Sequence, residues 1–106
     1  MTELNQRIRA YLTTTFHFSD AQLEQMLPGF FDTLRGHLAA VEKAIAEDVG
    51  QIARTAHTLK GALLNLGLEA EAAIALELEE RGDTAVADTA AMVSLSKRLR
   101  EKLAGL

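Results

Sequence analysis

Apolar residues recur at three- and four-residue intervals along nearly the whole chain, the spacing of helices that each bury one face. Leu4, Ile8, Tyr11 and Leu12 define a short first helix over residues 3 to 15, weakened at its end by Thr13-Thr14-Thr15. Ser19 with Gln22 three residues on is a capping-box signature. It opens a second run that carries Leu23, Met26, Leu27, Phe30, Leu34, Val41 and Ile45. Pro28 falls inside that run, where proline removes a backbone hydrogen bond and crowds the preceding turn. The reading is one long helix, 20 to 46, kinked at Pro28. Asp48 with Gln51 repeats the capping-box signature and predicts a third helix over 49 to 66, stopped by Gly67. The fourth is predicted over 69 to 81, with Gly82 as its stop. Asp83 or Thr84 can cap a fifth, about 85 to 104, before Gly105. Lys97, Arg98, Arg100 and Lys102 crowd its last turns, where cations suit the helix dipole.

The connections between these elements are short, so neighbouring helices run antiparallel. The predicted fold is all-α: an up-down four-helix bundle from residues 19 to 104, with the N-terminal helix and its connector, about 1 to 18, packed across one end. The 106 residues read as a single domain, 1–106, long enough to bury a core without metals or disulfides. High alanine and leucine content and a single proline favour helix throughout.

Composition narrows the function. The chain has no cysteine, which excludes a disulfide scaffold, a thiolate metal site and a catalytic thiol. The formal net charge is −4, which argues against nucleic acid as the main partner. No apolar run reaches the roughly 18 residues of a membrane span, and Met1-Thr2-Glu3-Leu4-Asn5-Gln6 has no apolar signal region. A cytoplasmic location is expected. The methionine start and the compact end at Leu106 lean towards a free-standing domain.

Chemistry concentrates in the third helix, in Thr55-Ala56-His57-Thr58-Leu59-Lys60-Gly61. Counted at about 100° per residue, Ile52, Ala56, Leu59, Leu63 and Leu66 form one stripe. His57 lies about 140° from its centre, Gly61 about 180° and Lys60 about 80°. A core histidine would sit on the stripe, so His57 is expected to face solvent. A mid-helix glycine costs about 1 kcal/mol relative to alanine. On an exposed face that cost makes sense if something outside the domain approaches closely. An exposed imidazole is a nucleophile near neutral pH, and Lys60, one turn on, places an ammonium beside the oxygens of a transferred phosphoryl group. There is no Walker A sequence, nucleotide-binding glycine loop or evident magnesium carboxylate set. A kinase acting alone is therefore excluded, and a partner would have to supply the metal.

Ala56-His57-Thr58-Leu59-Lys60-Gly61 followed by Gly67 closely resembles the signature of histidine-containing phosphotransfer (HPt) domains. The resemblance extends from about residue 19 to 104 and includes size, helix order and the Gly82-Asp83 turn. It implies a phosphorelay intermediate with His57 as phosphoacceptor, Lys60 as phosphoryl support and Gly61 as the access residue. It also implies response-regulator receiver domains and sensor or hybrid histidine kinases as partners. Mg²⁺ would be held by the receiver, no cofactor by this chain, and the domain would be a monomer. Leu64, on the His57 face at i+7, departs from the small residue usual there and becomes a candidate docking contact, with Ala53 one turn before His57. Glu79 stands where some members of the family place a carboxylate that hydrogen-bonds the histidine. The alternative for Glu79 is an ordinary solvated charge run with Glu77 and Glu80.

The remaining candidates have structural readings. His37 lies beside Phe30, Leu34 and Val41 and reads as a partly buried packing residue. His17, between Phe16 and Phe18, reads as connector, with both phenylalanines folded onto the bundle end. Met26 and Met92 read as core fillers. Ile8, Tyr11 or Leu12 could add to a docking surface near His57, although packing explains them. No helix carries the Glu-x-x-His pairs of a di-iron bundle. A second functional class stays open: an HPt-like module that binds a receiver or kinase without chemistry. Retention of both His57 and Lys60 favours phosphotransfer.

Overall fold

The computed structural model describes residues 2–83 and 89–106. Its elements are α1 (Glu3–Phe16), α2 (Asp20–Glu47), a 3₁₀ turn (Val49–Gln51), α3 (Ile52–Asn65), α4 (Glu69–Gly82) and α5 (Thr89–Leu103). No strand occurs among the described residues. The start of the fifth helix near residue 85, and its cap at Asp83 or Thr84, depend on residues 84–88, outside those described.

Local chemistry sets most of the boundaries. Ser19 accepts from the Gln22 amide and Gln22 Oε1 accepts from the Ser19 amide, so the predicted capping box is present. α2 runs unbroken through Pro28. Pro28 and Glu24 are both exposed, so the carbonyl left without an amide partner stands near water. α3 ends in a Schellman pattern: Leu68 N–H donates to Leu63 C=O and Gly67 N–H to Leu64 C=O, with Gly67 at φ +75°.

The Asp48–Gln51 capping box does not form, and α3 starts at Ile52 instead of 49. The connection is too tight for it. Asp48 N–H closes α2 on Ala44 C=O, and Asp48 C=O takes the Gln51 amide in the 3₁₀ turn. The donor that an Asp48 side-chain cap needs is already used.

α2 contacts α3 and α5, and α4 contacts both of those, which closes a four-helix ring. The 28 residues of α2 span about 42 Å, close to the 46 Å long axis, so its N-terminal part overhangs the shorter helices. α1 crosses that end. Near its start, Thr2 Oγ1 donates to Gly105 C=O at 2.6 Å and Arg7 pairs with Glu71 of α4. Phe18, just past its end, lines one groove with Phe30 of α2, Ala62 of α3 and Leu66 just after α3. Leu4, Ile8 and Leu12 join a continuous core that reaches Leu34, Leu59, Leu63, Leu78, Met92 and Leu99. Each fully buried leucine contributes about 1.5–3 kcal/mol. Met92 fills the core as expected, whereas Met26 is only half-buried, as is His37. Phe18 is partly buried, but Phe16 is 51% exposed and stacks on Phe18 from outside. It caps the cluster without entering it.

Candidate functional site

With Ile52, Ala56, Leu59, Leu63 and Leu66 all buried, the helical repeat leaves His57, Gly61 and Leu64 on the outer face of α3. The His57 side chain is 65% exposed. Leu64 is 46% exposed. A Cβ built on Gly61 meets nothing within 4 Å, so the bundle itself places no demand for glycine there.

Lys60 and Ala53 stand on the α4 flank, half-buried. α3 and α4 approach closely because the last residue of α4 is Gly82. A Cβ there would lie 2.8 Å from Ile52 Cγ2 and 2.9 Å from the Ala53 amide nitrogen. This approach brings Glu79 of α4 over the α3 surface. Glu79 Oε1 lies 2.7 Å from His57 Nδ1, and Lys60 Nζ donates to Glu79 Oε2 at 2.8 Å. A single carboxylate therefore bridges the imidazole and the ammonium. Its neighbours in the charge run differ: Glu77 pairs with Arg81 along α4, and Glu80 is exposed.

The bridge determines the protonation pattern. The Lys60 hydrogen bond, reinforced by His57 and by both groups' charges, holds the Glu79 carboxyl below its ordinary value despite opposition from partial burial. An ionised carboxylate can only accept, so His57 Nδ1 must carry the proton. In the neutral ring the lone pair is then on Nε2, which makes no hydrogen bond among the described residues. The imidazole is presented in one tautomer, in one orientation, with its nucleophilic nitrogen outward.

A shallow depression beside the ring is bordered by Ala53, Arg54, His57, Thr58, Glu79 and Asp83. Arg54 is a site neighbour that the His-x-x-Lys-Gly spacing does not single out, although i−3 spacing from His57 puts it within reach. Farther along α3, away from the depression, is an apolar groove of about 300 Å³ between α1, α2 and the end of α3. Leu12 lines it, while Ile8 is fully buried in the core. The Tyr11 ring packs against Gly67. Of the α1 residues considered for a docking surface, only Leu12 reaches the groove. Among the described residues no group of three or more His, Cys, Asp or Glu side chains is arranged to hold a metal ion. Within the same limits, no helix is long and apolar enough to cross a membrane.

Comparison with curated proteins and with solved structures found no match. The model of the Hpt domain family, in contrast, matches residues 25–106, which takes in most of α2 and all of α3, α4 and α5. A helical bundle with an outward histidine on its third helix and a match over most of the chain lead to one conclusion: this protein belongs to the Hpt domain family and has a phosphotransfer role in phosphorelay signalling.

Proposed function

We propose that His57 is the covalent phosphoryl carrier of a phosphorelay. It takes the group from the aspartyl phosphate of a receiver domain, or from a histidine kinase, and passes it to the aspartate of another receiver. The observation that carries this reading is the Glu79 carboxylate bridging His57 Nδ1 and Lys60 Nζ.

In the forward step the Nε2 lone pair attacks phosphorus. The N–P bond forms as the P–O bond to the receiver aspartate breaks, and the aspartate leaves with the electron pair. The proton on Nδ1 stays there, hydrogen-bonded to Glu79, so the positive charge that develops on the ring meets a fixed carboxylate. Because phosphoryl transfer relies mainly on positioning and charge neutralisation, that pre-set orientation is the chain's main contribution. Lys60 keeps one N–H on Glu79 and has two more for phosphoryl oxygens. A protonated N-phosphoimidazole is a good donor, so the same arrangement runs in reverse towards a second aspartate. The receiver supplies Mg²⁺. Gly61 is the clearance over which the receiver approaches, and Leu64 an apolar contact at the edge of that approach.

The test is to incubate the domain with labelled, phosphorylated receivers and Mg²⁺. Acid-labile, alkali-stable label on the wild type that disappears in His57→Gln is the expected result. Receiver binding without label across cognate receivers would instead make the domain a non-catalytic interaction module.

A further inference from the structure

We propose that Arg54 is a second phosphoryl ligand, gripping the group on His57 from the side opposite Lys60. This rests on His57 being the phosphoacceptor.

Arg54 and Lys60 are the residues at i−3 and i+3 from His57. They lie about 60° to either side of it around α3. Lys60 is on the α4 side and Arg54 on the far side. Because Nδ1 is turned towards Glu79 on α4, the Nε2 edge of the ring is turned away from α4, towards Arg54. Helical side chains also lean towards the N-terminus, so the imidazole lies over the turn that contains Arg54. The depression bordered by both residues matches this placement.

Arg54 is exposed; its backbone carbonyl accepts from Thr58 Oγ1, but its guanidinium makes no hydrogen bond or ion pair among the described residues. Arg7, Arg9, Arg35 and Arg100 are each held by a carboxylate. Lys60, the only cation so far assigned to the phosphoryl group, is shared with Glu79. A phosphoryl group on nitrogen brings nearly two negative charges and three strong acceptor oxygens. A guanidinium fork can take two of those oxygens at once. Arg54 thus supplies the charge that Lys60, already engaged, supplies only in part.

The test uses two donors. Phosphorylated receiver with Mg²⁺ reads the relay, and phosphoramidate, a small-molecule donor, reads the His57 site without any receiver. Wild type, Arg54→Gln, Arg54→Lys and Arg98→Gln are compared, the last a charge-matched control on α5. With Arg54→Gln we expect the maximal transfer rate to fall about ten- to a hundredfold with either donor, with little change in half-saturating receiver concentration. The ³¹P titration of phospho-His57 should shift to higher pH, because the dianion loses a cation. Arg54→Lys should restore part of both. An unchanged rate and ³¹P titration in Arg54→Gln would overturn the proposal. So would a change confined to half-saturation and reproduced by Arg98→Gln, which would mean only long-range attraction of an acidic receiver. Label from phosphoramidate but from no receiver would count against the relay, while the Arg54 comparison would still be decided. No label on His57 from either donor would overturn both.

Discussion

Gly61 offers a test in which stability and function should move in opposite directions. A Cβ at this position meets nothing within 4 Å, so Gly61→Ala costs no packing. Glycine is about 0.8–1.0 kcal/mol worse than alanine in a helix interior, and the variant should be more stable by about that amount. For a domain of this size the melting temperature should rise by about 4–8 °C. Leucine has nearly the propensity of alanine, so Gly61→Leu should also be stabilised. Gly29 and Gly36, likewise inside α2 with open space where a Cβ would be, act as internal standards for this gain. Transfer should go the other way. A leucine beside His57 holds a receiver off the position from which its phosphorus can be attacked in line. A displacement of about 1 Å in such a geometry can cost on the order of a hundredfold. Urea denaturation with a shared m-value measures the first effect, and single-turnover transfer from a phosphorylated receiver the second. If Gly61→Ala is destabilising while Gly29→Ala and Gly36→Ala are stabilising, the open face assigned to Gly61 is wrong. If Gly61→Leu transfers at the wild-type rate, no partner passes over that face and the clearance argument fails.

Three further outcomes follow from the geometry. Lys60→Ala should slow transfer markedly and shift the unfolding midpoint by no more than about 1 kcal/mol equivalent, since its partly buried ion pair with Glu79 is the main loss and Glu79 keeps its contact with His57; a collapsed melt would put Lys60 in the core. Gly67→Ala should cost about 1–2 kcal/mol for the left-handed backbone and more from overlap with the Tyr11 ring. Combining it with Tyr11→Ala should remove the second part, and equal costs in both backgrounds would clear Tyr11 of any role. The third concerns Glu71, which is 3% exposed. Burial alone would raise its carboxyl. The hydrogen bonds from Arg7 and its own backbone, with the charges of Arg7 and Lys102, outweigh that and hold it below the ordinary value of 4.5. A depressed carboxyl contributes stability above its unfolded value and loses it as pH falls through the folded one. The stability gap between wild type and Glu71→Gln should therefore be full at pH 7 and shrink steadily below about pH 4.5. A gap that does not change with pH would show that the Arg7–Glu71 pair is not what titrates.

Local rules carried the reading of this chain a long way. Periodicity marked five helices, and it put His57, Gly61 and Leu64 opposite the stripe that Leu59 and Leu63 bury. The Ser19–Gln22 box and the Gly67 stop were legible because each involves residues within a few positions of one another. The second box failed for an equally local reason, but one that depends on how α2 is closed: the Gln51 amide is taken by Asp48 C=O. Glu71 is buried with Ile74, Ala75 and Leu78 on one stripe of α4, a position that the periodicity reading did not single out. Its partner Arg7, 64 positions away, could not be read from spacing.

The division at the candidate site is the same. The sequence alone determined that an imidazole and a glycine would share the open side of one helix with an ammonium at its flank, because about 3.6 residues per turn and an apolar stripe leave them no other place. Only the tertiary structure decided that Glu79, 22 positions from His57, would reach both Nδ1 and the Lys60 ammonium. That depends on the rotation and axial register of α4 against α3, set by Gly82 closing on Ile52 and Ala53 and by the packing of a shared core. A helical repeat fixes the face on which a side chain lies. Which nitrogen of the imidazole is left free depends on contacts between helices.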